Sequence, residues 1–346
     1  MTPARLCLAV LLLATVLGGC IGDPDPPVAP TVDKVEILPG EYLDNRFFFV
    51  DQVDGGDNPG RNPSREIIDL SSLHVFVRQP DGVLQVEDVA NMAAYLDPTG
   101  VWSGINFQTP VYQAARWREV AFDLRLDADG EMECIDLGQS LDQDQVVGIC
   151  YDVLSPMDNL LYKVGDYPGR DADNRVELDG GELFFRLKLI KPEWADQSAF
   201  TFDYVRRNVY NLRRTHIDPT KFSLSIRTLQ ADDRDPQLDE GLIPYVRVFG
   251  LDKYNANGVG IPDNAPDLQN IYVFDLVKGL LYFPKDFAEP FNGTRTQYET
   301  NANTSGFFWD GTYLPANLMP EIYDHRVNPA TYADFSTFRI DLGYTQ

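Results

Sequence analysis

Residues 73–77, Leu73-His74-Val75-Phe76-Val77, decide the fold class. Leu73, Val75 and Val77 recur every second residue, the period that puts side chains on one face of a β-strand. The same period returns in Val120-Ala121-Phe122-Asp123-Leu124, Phe222-Ser223-Leu224-Ser225-Ile226, Tyr245-Val246-Arg247-Val248-Phe249 and Phe338-Arg339-Ile340-Asp341-Leu342. Clusters of Gly, Pro, Asn and Asp separate these runs, and aromatic and β-branched residues crowd the strand positions. Helical patterns are few. Val86 to Tyr95 reads as one short helix and Asp203 to Asn211 as another, with Asp203 placed to favour the exposed N–H groups of its first turn. The expectation is an all-β protein of two tandem β-sandwich-like modules with minor helix. The first spans residues 33–200 and the second 201–346, joined near residues 191–217. A faint repeat in the order of elements, residues 66–190 against 218–346, supports two related modules.

The N-terminus carries an address. Arg5 supplies a positive region, Leu6 to Leu17 is almost unbroken apolar sequence, and Leu17-Gly18-Gly19-Cys20 closes it with small residues before a cysteine. That order is the lipobox of bacterial lipoproteins, so residues 1–19 read as a signal peptide and Cys20 as the acylated first residue of the mature chain. The apolar run is shorter than the roughly 20 residues a spanning helix needs. Residues 20–32, rich in Pro and Asp, read as an extended tether. Ile21 beside the cysteine gives no inner-membrane retention signal, which favours an outer-membrane protein anchored on its periplasmic face or at the cell surface. The sequence holds no second stretch able to cross a membrane as a helix.

Composition narrows the function. A net charge of −24 opposes nucleic-acid binding, while 44% apolar content supports real cores. Of four cysteines, Cys7 leaves with the signal and Cys20 carries lipid. Cys134 and Cys150 remain in an oxidising compartment, where a disulfide is the default. Glu131–Leu137 and Val146–Val153 read as strands, and folding them as a hairpin about Asp142 sets Cys134 opposite Cys150. Two buried free thiols are the alternative.

From about Val146 onward the chain resembles SprA, the outer-membrane translocon protein of the type IX secretion and gliding-motility system. The resemblance rests on an ordered set of motifs. These are Val146–Tyr151 with Tyr162-Lys163-Val164-Gly165-Asp166; Leu187–Lys191; Phe202–Leu212 with Asp218–Ile226; and Val246–Gly258 with Pro262-Asp263, Lys278–Pro284 and Glu289-Pro290-Phe291. Members of that family are several times longer and carry a very large transmembrane barrel. The resemblance therefore implies a shared soluble module, working through envelope protein partners of a secretion or motility apparatus. Asn264 stands where the family usually has glycine.

For chemistry, the best candidate is the loop holding Asp252, Asn255, Asn257, Asp263 and Asp267 around Gly258. Oxygen side chains at short, irregular spacing are what Ca²⁺ takes, with six to eight oxygens at about 2.3–2.6 Å. The loop departs from the EF-hand register because Lys253 holds the first ligand position. A turn stabilised by side-chain-to-backbone bonds is the alternative. Asp51, Asp54 and Asp57 around Gly55-Gly56 read as an acidic turn, and Asp127-Ala128-Asp129-Gly130 as a hairpin turn. The histidines, His74, His216 and His325, are far apart, and no nucleophile elbow, H-E-x-x-H or phosphate-binding glycine loop is present. Tyr42, Phe47, Phe48, Trp102 and Trp117 either line a glycan or protein surface or form core. The reading is a non-catalytic protein, with a cell-surface adhesion lipoprotein for a glycan or protein ligand as the alternative and an envelope hydrolase as a third.

Overall fold

The alternation at Leu73–Val77 resolves into the two faces of a barrel wall. A computed structural model describes residues 31–51, 65–79, 89–99, 109–127, 130, 132–177, 181–228, 243–284, 287, 289–302, 318–335 and 337–346. The strands are β1 (Val32–Ile37), β2 (Phe47–Phe48), β3 (Ile67–Arg78), β4 (Val89–Tyr95), β5 (Tyr112–Glu119), β6 (Asp123–Leu126), β7 (Met132–Asp136), β8 (Val147–Leu154), β9 (Leu160–Val164), β10 (Val176–Glu177), β11 (Leu183–Lys191), β12 (Val209–Asn211), β13 (Phe222–Thr228), β14 (Phe274–Asp275), β15 (Leu280–Tyr282) and β16 (Phe338–Thr345). Helix is minor: α1 (Ala199–Phe202), α2 (Tyr245–Val248) and α3 (Arg295–Ala302), with a few 3₁₀ turns. The protein is all-β. None of the helices described is long and apolar enough to cross a membrane.

One set of strands runs β10-β11-β4-β5-β3-β8-β9, and β11 also pairs with β8. That extra pairing closes β3, β5, β4, β11 and β8 into a ring, with β4 and β11 parallel and the other pairs antiparallel. Closure leaves none of these five strands at a free edge; β9 and β10, each with one partner, are the edge strands. Inside lie Phe76, Met92, Ala94, Trp117, Cys150, Leu187 and Leu189. Trp117 is fully buried, and its indole N–H donates to the Met92 carbonyl at 3.1 Å. Gly148 makes room for it, since a Cβ there would stand 2.9 Å from Leu187 and 3.3 Å from the Trp117 ring. Outside, Leu73, Val75, Val77, Val147, Ile149 and Ile190 pack against Phe48, Ile135, Tyr204 and Val205.

The remaining strands form three small sheets, β1-β16-β13, β2-β7-β6 and β12-β15-β14. A second core, rich in aromatics, joins the first and third of these sheets to α2: Phe249 lies with its ring centroid 4.9 Å from Phe291, 5.3 Å from Phe338 and 5.7 Å from Tyr298. β1 pairs with β16 along its whole length, from Val32↔Thr345 to Ile37↔Ile340. A strand from the expected first module thus joins a sheet of the expected second. A barrel stands where a sandwich is expected, and residues 218–346 build no second copy of it among the described residues.

Several expectations are corrected. Val89–Tyr95 is a strand inside the barrel rather than a helix, because pairing with β5 and β11 overrides its alanine-rich propensity. The expected helix over 203–211 does not form: the single turn of α1, capped by reciprocal Ser198–Thr201 bonds, ends at Phe202, and the segment leads into β12. Tyr245–Phe249 forms a helical turn, not a strand. The strand expected across Val120–Leu124 breaks between β5 and β6. Cys134 and Cys150 are free, buried thiols. Both predicted strands exist, but they do not pair with each other. Cys134 stands opposite Arg125 on β6, and Cys150 opposite His74 on β3. Residues 1–30, including Cys20, together with Asp54, Asp57 and Trp102, lie outside the described residues. Tyr42, Phe47, Phe48 and Trp117 are core.

Candidate functional site: the acidic loop and its groove

The loop after α2 is organised by its own carboxylates. Gly250, at φ +75°, ends the helix and turns the chain into it. Asp252 is completely buried and accepts backbone N–H bonds from Asp263 (3.1 Å) and Asn264 (2.8 Å). Asp267 accepts from Lys253 (2.7 Å) and Tyr254 (3.2 Å). Asn255 Oδ1 accepts from the Asn257 and Val259 amides, and Asp263 from those of Ala256 and Ala265. Burial pushes the Asp252 and Asp267 carboxyls above the usual carboxylate range, and the amides that bond them pull the other way.

The structure therefore brings the five predicted calcium ligands into one loop. The oxygens of Asp252, Asn255, Asp263 and Asp267 are engaged by the loop's own amides, and Asn257 takes part through its backbone. Among the described residues no group of three His, Cys, Asp or Glu side chains is gathered as for a metal. What these bonds do is hold an irregular segment in one shape, as Asx turns do.

A buried ionic lattice positions the opposite wall. Arg206, which is 1% exposed, pairs with Glu133 at 2.9 Å and bonds Asn208 Oδ1 and the Phe283 carbonyl. Arg125 bonds the other Glu133 oxygen at 2.9 Å, lies 3.3 Å over the Tyr282 ring, and donates to the Tyr272 carbonyl. Arg46 grips Asp136 with two bonds of 2.7 and 2.9 Å. Lys278 reaches Asp123 at 2.9 Å. These contacts tie β6 and β7 to the 270–284 segment.

Between the walls lies a groove of about 730 Å³, lined by Tyr254, Asp263, Asp267 and Tyr272 on one side and by Asp127 and Glu133 on the other. A smaller hollow of about 230 Å³ shares Tyr272 and adds Leu124, Leu126 and Ile271. Sequence reasoning missed this surface. Ile271 is 69% exposed, and Tyr254, Tyr272, Leu124 and Leu126 are also exposed. The signal was there: aliphatic and aromatic residues set in an Asn, Asp and Gly-rich loop with no periodicity to turn them inward.

The histidines sit in separate settings. His74 bonds Glu119 at 2.6 Å and stacks on Tyr167 with centroids 3.6 Å apart. His325 lies near Asp324 and Phe202, and His216 occupies a positive-φ turn. Comparison with protein-family models and with curated proteins gives no match to this chain.

Proposed function

We propose that this protein is a non-catalytic lipoprotein of the bacterial outer membrane, anchored through Cys20, that works through protein–protein contacts as a soluble module of the type IX secretion and gliding-motility kind. The observation that carries the reading is the apolar surface around the groove. Exposed Tyr254 and Tyr272 on the groove, with exposed Ile271, Leu124 and Leu126 on the hollow that shares Tyr272, rimmed by charge, have the make-up of a contact site rather than of a solvated loop.

The resemblance gains support from what its motif residues do. Gly165, at φ +78°, and Asp166, which holds Arg186, shape the turn after β9. Lys188 is buried over Tyr204. Arg206 and Asn208 knit the sheets, Asp252 folds the loop, and Gly279 closes the turn before β15.

The test is cross-linking in native envelopes. A photo-reactive residue replaces Ile271 in the tagged, acylated protein, and the adduct is identified by mass spectrometry. The proposal expects a defined envelope protein of a secretion or motility apparatus. Adducts only to glycan, or none at any surface position, would refute it. Cys20→Ala should release the protein from membranes.

A further inference from the structure

We infer that the groove between Tyr254, Tyr272 and β6 takes a basic segment of a partner protein, with an aliphatic or aromatic side chain set against the two tyrosines. The inference rests on the protein-contact reading above and names the partner's chemistry. The volume of about 730 Å³ falls in the roughly 300–1,000 Å³ range of sites that enclose small ligands. Its ionisable lining is Asp127, Glu133, Asp263 and Asp267 against Lys253. Glu133 is outweighed by Arg125 and Arg206, two cations on one carboxylate, so the acidic character of the groove rests on Asp127, Asp263 and Asp267. Asp263 and Asp267 are held by backbone amides, which leave each carboxylate its negative charge. A chain of net charge −24 adds to that field, so a cationic occupant is steered in and an acidic one repelled.

The apolar part selects a peptide over a sugar. Glycans pack on aromatic faces, and the two tyrosines alone would serve them. Leu268 and Val273 in the groove itself, and exposed Ile271, Leu124 and Leu126 in the adjoining hollow that shares Tyr272, offer aliphatic surface, which matches aliphatic side chains. Tyr254 and Tyr272 are suited to be the anchors, since tyrosine combines large contact area with few torsions to freeze.

Fluorescence polarisation tests this with the acylated full chain in neutral-lipid nanodiscs, empty nanodiscs being subtracted. Three labelled probes are compared: a short peptide of Arg and Leu, the same with Gly for Leu, and the same with Glu for Arg. The Arg–Leu peptide should bind best. Y254A/Y272A should weaken it about tenfold or more, Y254F/Y272F should restore it, and L161A on β9 should leave it unchanged. Equal affinity in wild type and Y254A/Y272A, or equal binding of the Arg–Gly probe, would show only diffuse attraction to an acidic protein and overturn the inference. Quenching of tyrosine fluorescence by neutral oligosaccharides, with no peptide binding, would overturn it in favour of a glycan. A cross-linked envelope partner at another surface, with the peptides failing here, would sink the groove while leaving the protein-contact reading intact.

Discussion

Replacing Asp252 by Asn tests whether the loop is built by its own carboxylates. The two side chains match in shape. Asp252 offers two acceptors, to the Asp263 amide at 3.1 Å and the Asn264 amide at 2.8 Å. Asn keeps one acceptor and points an NH₂ donor at the other amide. One charge-assisted hydrogen bond is lost, about 1.5–3 kcal/mol, and the neutral side chain recovers part of the burial penalty that the carboxylate carries. A local opening cost lower by about 2 kcal/mol corresponds to roughly 30-fold faster exchange of the Asp263 and Asn264 amides. Hydrogen exchange followed by NMR or mass spectrometry reads this directly. Amides of the β13–β16 pair, such as Leu224 opposite Leu342, serve as the internal control and should not change. Unchanged exchange at 263 and 264 would refute the reasoning. Acceleration across β13 and β16 as well would show that the loop is not a local unit.

Gly279 sits at φ +68°, where an added Cβ would fall 1.7 Å from the Arg214 carbonyl oxygen, whereas Gly130 at φ +79° has open space around it. Urea unfolding should show Gly279→Ala costing about 3 kcal/mol or more and Gly130→Ala about 1 kcal/mol, and equal costs would contradict the geometry. Cys134 and Cys150 are buried and their thiols pushed up by burial, so without reductant neither should react with a thiol reagent in the folded protein and both should react in denaturant; no labelling in denaturant would restore the disulfide. Burial acts to raise the Asp171 carboxyl, but bonds from Arg170, Lys163 and the Tyr167 amide outweigh it and hold it at about 2. A lowered folded pKa stabilises above the unfolded value of about 3.9 and is lost as pH falls from about 4 to 2, a slope that Asp171→Asn should lack. Calcium at millimolar concentration should leave the melting temperature unchanged if the amides hold the loop; a rise abolished by Asp263→Ala would establish the calcium site instead.

How far the sequence could be read follows from the range of the interactions. Period-two runs at Leu73–Val77, Phe222–Ile226 and Phe338–Leu342 became strands because one face of each meets a core. Tyr245–Phe249 misled because its apolar residues, 245, 246, 248 and 249, fit a helical turn equally well. The aromatic core buries all four, and Arg247 alone is left partly exposed. The cysteine pair misled because neighbouring strands were expected to form a hairpin. β7 instead pairs with β2 and β6, and β8 with β3, β9 and β11, partners that no local pattern names. The barrel escaped for the same reason, since its closure depends on β11 meeting β8. The acidic loop was legible as a unit from its spacing. The groove beside it was not, because β6 and β7 reach it through the buried Glu133 and its two arginines, residues far apart in sequence.

The most direct test of the central claim is site-specific cross-linking at Ile271, compared with Leu161 on the edge strand β9, in envelopes of cells carrying wild type and Y254A/Y272A. The account predicts one identified envelope partner captured from position 271, lost in Y254A/Y272A and absent from position 161. The same partner captured equally from both positions, or captured undiminished in Y254A/Y272A, would contradict it.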